Sequence, residues 1–233
     1  MSEEFTGFPK KSVSFLRRLA ANNNKAWFDA HRSEYENHLL TPAKQFVAAM
    51  ADLLVTVSAD IRAEPRVGGS IFRINRDTRF SRDKTPYKTH LDLWFWHGGG
   101  SGASRERPGF FFRLNASRLL LGAGMHGFEA PLLAAYRAEI AESRKGRALR
   151  VLLDKVTAKG YELGGSHYKR VPRGLDPGHP HADLLRHNAL HVGQEVPSPM
   201  SLSTPAFPAY CLVRFQDMAP VLEWIVGLMR RAA

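Results

Sequence analysis

Between Arg66 and Lys88, seven basic side chains (Arg66, Arg73, Arg76, Arg79, Arg82, Lys84 and Lys88) face two acids, Asp77 and Asp83, leaving a surplus of five positive charges. Ile71, Phe72, Ile74, Phe80 and Tyr87 are interleaved with them. A solvated charge run has no use for such apolar residues, so the pattern sets guanidinium groups beside buried chain. A guanidinium presents a rigid fork of N–H donors that fits a carboxylate or phosphate with two parallel bonds. Held near a core, it needs an internal carboxylate or an incoming anion.

Period-two alternation extends this motif into a sheet. SIFRIN (70–75), LDLWFWH (91–97), FFFRLN (110–115) and RLLLGAG (118–124) read as strands. In that register Arg73, Asp92, Trp94 and Arg113 share one face, a partly apolar surface with convergent donors. Arg73, Arg76, Arg79 and Lys84 are the candidate anion ligands, joined by Tyr87, Lys88, Trp94 and Arg113. Asp77, Asp83 and His90 are the candidates for orienting a bound group or moving a proton. A second basic loop, YKRVPRG (168–174), offers Lys169, Arg170 and Arg173, and its similar composition suggests that it meets the same site.

Other chemistry finds less support. His179, His181 and Asp183, and His187 with His191 four residues on, are the local metal candidates. The second pair would chelate from a helix, but neither set has the ligands of a zinc site, so no metal and no cofactor is implied. No serine sits in a Gly-x-Ser-x-Gly turn. The one cysteine, Cys211, stands among Tyr210, Leu212 and Val213, which reads as a buried thiol in a reducing compartment. GGGSGASRER (98–107) reads as a flexible loop; no lysine-serine pair or helix follows to make it a phosphate cradle.

The flanking segments must hold this sheet. The front of the chain is helical by spacing: Ser12 is placed to cap Val13–Leu19, Asn24 to cap a helix through Leu39, and Thr41-Pro42 to restart one running to Ile61. After Gly127, Leu132, Leu133, Tyr136 and Ile140 make one helical face. Leu149, Leu152, Leu153 and Val156 make another, ended by Lys159-Gly160. Residues 168–190 read as loop, Pro197 to Pro208 as irregular, Tyr210–Phe215 as a last strand, and Val221–Met229 as a closing helix. The fold class is α+β: a helical N-terminal part, a central antiparallel sheet of about four to six strands, and C-terminal helices on one face, in a single domain over 1–233.

The chain has 233 residues, 44% of them hydrophobic, enough for a sizeable core, and a net charge of +11. No run approaches the roughly 18 apolar residues of a membrane span, and the first residues, MSEEFTGFPKK, lack the apolar stretch of a secretory signal. A cytoplasmic protein without a membrane partner is expected.

Several segments together resemble one widespread bacterial family, the domain of unknown function 2461. They are FTGFPK (5–10), NNNKAWFDAHRSEYE (22–36), PRVGGSIFRINRDTRFSRDKTPYKTH (65–90), GFFFRL (109–114), GAGMHGF (122–128), YKRVPRG (168–174) and HADLLRHNAL (181–190). The resemblance covers almost the whole chain and implies a conserved cytoplasmic protein; it carries no reaction, cofactor or catalytic residue with it.

Three readings stand. The first is a binder of, or enzyme acting on, a small anionic ligand such as a phosphate ester or carboxylate. The second is a nucleic-acid-binding module, with or without nuclease action, in which Trp94 and Trp96 stack on bases while basic side chains follow phosphates. The third is a structural or interaction protein in which the arginine motif forms an internal salt-bridge network.

Overall fold

A computed structural model describes residues 4–99 and 106–232. It is an α+β fold whose six-stranded antiparallel sheet has the order β1-β2-β3-β4-β6-β5. The chain divides into two compact units, the first from residues 4–99, 111–121 and 195–213, the second from 106–110, 122–194 and 214–232. Residues 100–105 of the expected flexible loop lie outside the described residues.

In the first unit, α1 (Lys10–Ala21) buries Phe15, Leu16 and Leu19 at helical spacing. Ser12 does not cap it: Pro9 holds that position, and Ser12 is buried one turn in, its hydroxyl donating to the His38 carbonyl. Asn24 caps α2 (Lys25–Ala30) as expected, its side chain accepting the Trp27 N–H at 3.0 Å. The expected restart at Thr41-Pro42 is overturned. From α3 (Arg32–Tyr35) the chain passes through a π-helical turn, Glu36–Leu40, straight into α4 (Thr41–Leu54), with Leu40 and Thr41 both in right-handed helical conformation. Pro42 has no N–H for the carbonyl four residues back, that of His38, and the Ser12 hydroxyl serves this oxygen instead. The helix ends at Leu54, short of Ile61, which lies in the two-residue strand β1 (Ile61–Arg62) paired with β2 (Leu91–His97).

SIFRIN is not a full strand. Only Ile71 and Asn75 form isolated bridges, to Leu93 and Tyr87, and the buried residues are Ser70, Ile71 and Ile74, which do not alternate. The segment still lies against β2, through Phe72 N–H to the Asp92 carbonyl (3.1 Å) and Trp94 N–H to that of Ser70 (2.9 Å). Strand β2 is buried from Leu91 to Trp96, on both faces. Strand β3 (Gly109–Leu114) alternates as expected, with Phe110, Phe112 and Leu114 inward and Phe111 and Arg113 half-exposed. It turns into β4 (Arg118–Met125) at Asn115, whose side-chain Oδ1 accepts the N–H groups of Ser117 and Arg118.

The second unit contains α5 (Ala130–Ala141), α6 (Ser143–Thr157), β5 (Glu162–Ser166) and most of β6 (His187–Pro197). Strand β6 begins inside the segment expected to be loop; of its first residues, HNALHV, it buries His187, Ala189, Leu190 and Val192. The loop expectation gave weight to the prolines and glycines before it over the apolar Ala189, Leu190 and Val192 that follow. Gly124 of β4 has φ +135°, and a Cβ there would lie 2.3 Å from the Leu190 carbonyl oxygen, so only glycine lets the chain approach β6 this closely.

The expected last strand, Tyr210–Phe215, lies within α7 (Phe207–Ala232). Phe207, Cys211, Phe215, Met218, Leu222 and Ile225 are buried at intervals of three and four, and this longer period overrides the local strand preference of Tyr210, Val213 and Phe215. The helix packs on the sheet: Phe207 stands 6.1 Å from Phe112 in the first unit, and Phe215 4.7 Å from Phe110 in the second. Phe5, Phe8 and Phe46 complete the first cluster, at centroid separations of 5.3 to 5.6 Å. Such pairs each add about 0.5–1.5 kcal/mol beyond the area they bury.

Candidate functional site

The loop from Asn75 to Tyr87 is fastened by its own acids. Arg76 donates to Asp83 and to the Thr85 hydroxyl. Arg79 forks onto Asp77, Nε to Oδ1 at 3.0 Å and Nη2 to Oδ2 at 2.7 Å, and Asp77 also accepts the Arg79 N–H. Lys84 Nζ donates to the Thr78 carbonyl at 2.9 Å. These bonds hold both carboxyls at about 2, Asp77 chiefly through Arg79, Asp83 through the Thr85 N–H and then Arg76. Both acids are therefore ionised at neutral pH and carry no proton to give. Tyr87 points inward, stacked on Phe28 at 4.1 Å, with its backbone clamped at both N–H and carbonyl by the Asn23 amide. Arg73 is exposed, its charge felt by Asp77.

The convergence expected on the sheet forms around a residue that the sequence reading placed on that face but did not name as a ligand. Asp92 of β2 is buried, its side chain 7% exposed. Arg113 of β3 grips it from the neighbouring strand, Nε to Oδ1 at 2.7 Å and Nη2 to Oδ2 at 3.1 Å. His90 Nε2 stands 3.2 Å and Lys88 Nζ 3.7 Å from Oδ2. Burial pushes the Asp92 carboxyl up, but the hydrogen bonds from His90 and Arg113 outweigh it and hold it at about 2.

Aromatic rings line the cations: Lys88 Nζ lies 5.0 Å over Phe72, Arg113 Cζ 5.3 Å over Phe111, and Phe111 packs on Trp94. The Arg113 side chain is 39% exposed, and its Nη1 has no hydrogen-bond partner among the described residues. One edge of the fork is thus spent on Asp92 while the other faces outward. Strand alternation sets Asp92 on the face of Arg113, but it does not mark Asp92 as the residue on which the cations gather.

Trp94 and Trp96 are 3% and 0% exposed, so neither offers a face to a base, and the stacking role expected of them is withdrawn. Lys169, Arg170 and Arg173 are exposed residues of the second unit, and Tyr168 beside them carries Arg137 Cζ 5.2 Å over its ring. His187 and His191 lie on strand β6, not on a helix, so their four-residue spacing does not bring them to one ion. His191 instead meets His126 of the second unit, ring centroids 4.8 Å apart; burial first, then the His126 charge, pushes its pKa down to about 4. Among the described residues no group of three or more His, Cys, Asp or Glu is placed to hold a metal. Cys211 is buried in α7. Among the described residues no helix is long and apolar enough to cross a membrane.

A family model described as "Conserved hypothetical protein (DUF2461)" matches residues 11–224. No curated protein matches the chain.

Proposed function

The chain belongs to the DUF2461 family, and from that premise we propose that it binds a small anion, a phosphate ester or a carboxylate, at the basic ring around Asp92. The observation that carries this reading is the divided use of Arg113: one edge of its guanidinium is fixed by a buried carboxylate, and Nη1 is left outward without a partner among the described residues. A guanidinium held this way is pre-organised, so little side-chain entropy is lost when an anion docks on the second edge. Lys88 and His90 stand beside the same carboxylate and extend the ring. Asp92 serves as the internal counter-charge that makes the cluster tolerable beside the aromatic wall.

The Asp92–His90 contact also holds the imidazole in one orientation, Nε2 toward the carboxylate and Nδ1 away from it. Nδ1 is the atom that would take a proton from, or return one to, a bound ligand. Arg76, Arg79, Asp77 and Asp83 have the different task of fastening the loop that delivers Lys88 and His90 to the strand. The cytoplasm, where phosphorylated metabolites abound, is the compartment this reading assigns.

The test is a thermal-shift screen of the purified protein against inorganic phosphate, phosphate monoesters and dicarboxylates. An anion at about 100 times its dissociation constant adds roughly 2.7 kcal/mol of stability. Arg113→Lys, which keeps the charge and loses the fork, should weaken the shift about tenfold or more in concentration. A wild-type melting temperature that no anion moves would end the proposal.

A further inference from the structure

Phe80 is 96% exposed, whereas the other phenylalanines of the chain are buried or half-buried. A single exposed apolar side chain is ordinary on a protein surface; what separates Phe80 is its surroundings. It sits at the tip of a four-residue turn in which the Ser81 N–H donates to the Thr78 carbonyl at 3.3 Å. Lys84 Nζ ties down the same carbonyl, and the Arg79–Asp77 fork fixes the residue before it. Arg79 Cζ stands 5.8 Å over the Phe80 ring. Arg73, Arg82 and Lys84 around the tip are exposed as well. From Arg73 to Lys84 five basic residues outnumber Asp77 and Asp83.

We propose that this tip is a docking point for single-stranded nucleic acid, with Phe80 as the stacking platform for one base and Arg79, Arg82 and Lys84 as the contacts to the flanking phosphates. An unpaired base offers what such a tip lacks, a flat apolar face joined to negative charge. Duplex bases are already stacked and present no free face. A lipid surface fits less well. Insertion into a bilayer takes several apolar side chains, and here one stands between Thr78, Arg79 and Ser81 with Asp77, 60% exposed, close by. The proposal uses no residue of the Asp92 ring and does not depend on it.

The experiment is fluorescence anisotropy with labelled homothymidine and homouridine strands of roughly 16 nucleotides, at ~50 and ~200 mM salt. Wild type should bind, and weaken with salt at about 0.7 log units of slope per phosphate contacted. Phe80→Ala should weaken binding roughly 5- to 150-fold, the worth of one lost base stack, without changing the salt slope. Phe80→Trp should restore it, and Arg79→Gln with Arg82→Gln should flatten the slope. Phe80 is exposed, so its variants should melt with wild type, which separates a binding loss from a folding loss. Absence of wild-type binding at the lower salt, or equal binding by Phe80→Ala, overturns the proposal. So does Phe80-dependent sedimentation with vesicles containing about a third phosphatidylserine when neither oligonucleotide binds.

Discussion

Arg113 and Asp92 lie on adjacent strands and meet through two parallel hydrogen bonds, 2.7 and 3.1 Å long, with the carboxylate buried and the guanidinium two-fifths exposed. Because the buried partner is the acid, the two cannot be removed with equal effect. Arg113→Met strands a buried negative charge and should cost about 3 kcal/mol in urea unfolding. Adding Asp92→Asn to that variant removes the stranded charge and should recover more than half of the loss. A double variant no more stable than Arg113→Met would show that the pair is not coupled in this way.

The same carboxylate gives the acid limb of stability its sign. Its folded pKa, about 2, lies below the ordinary 3.8, so the unfolded chain takes up the proton first. The contribution is present above about pH 4 and is lost as the pH falls toward 2. Stability should therefore drop across that window, and Asp92→Asn should flatten the drop, with the residual slope coming from the exposed pairs at Asp77 and Asp83. Identical slopes in the two proteins would contradict the assignment.

His191 acts at higher pH. Burial and the neighbouring His126 hold its pKa at about 4, below the 6.5 of a free imidazole. The unfolded state again binds the proton first, so its contribution is whole above pH 6.5 and falls away between there and about 4. His187, lowered chiefly by burial, adds to the same limb. His191→Gln should show a shallower stability slope through this range; an unchanged slope would assign the loss elsewhere.

Glycines 124 and 174 separate strain from packing. Both have positive φ, +135° and +84°, but a Cβ at Gly124 would meet the backbone of Leu190 and His191 within 2.5 Å, whereas at Gly174 it meets nothing within 4 Å. Gly174→Ala should cost about 1 kcal/mol, the conformational term alone. Gly124→Ala should cost about 3 kcal/mol or more, since backbone must shift. Equal midpoints in denaturant for the two variants would refute the close approach of β4 to β6.

How much of this was legible in the sequence depended on the range of the signal. The helical spacing of α1 and α4, the Asn115 turn and the alternation of β3 are local, and the structure keeps them. Tyr210–Phe215 misled because six residues of strand-forming type were weighed without the 26-residue helical period around them. SIFRIN misled because its alternation in composition is not an alternation in burial: Ile71 and Ile74 are inside and Arg73 is out. At the site, the surplus of basic residues was plain, but not which of them would find acids within the loop. Arg76 with Asp83 and Arg79 with Asp77 are contacts over seven and two residues, set by how the turn folds, and charge counting cannot assign them. Asp92 and Arg113, 21 residues apart, were reachable only through the face they share.

The central claim is that the outward edge of Arg113, beside His90 and Lys88, is an anion site. Its most direct test is a titration of inorganic phosphate into protein with 15N-labelled arginine and histidine, following the Arg113 guanidinium and His90 ring signals by NMR. These two should move together and saturably in wild type, and the His90 signal should stay still in Arg113→Lys at the same phosphate concentrations. Saturable shifts confined to Arg73, Arg79 or Arg82, with Arg113 and His90 unmoved, would place the anion on the loop and contradict the claim.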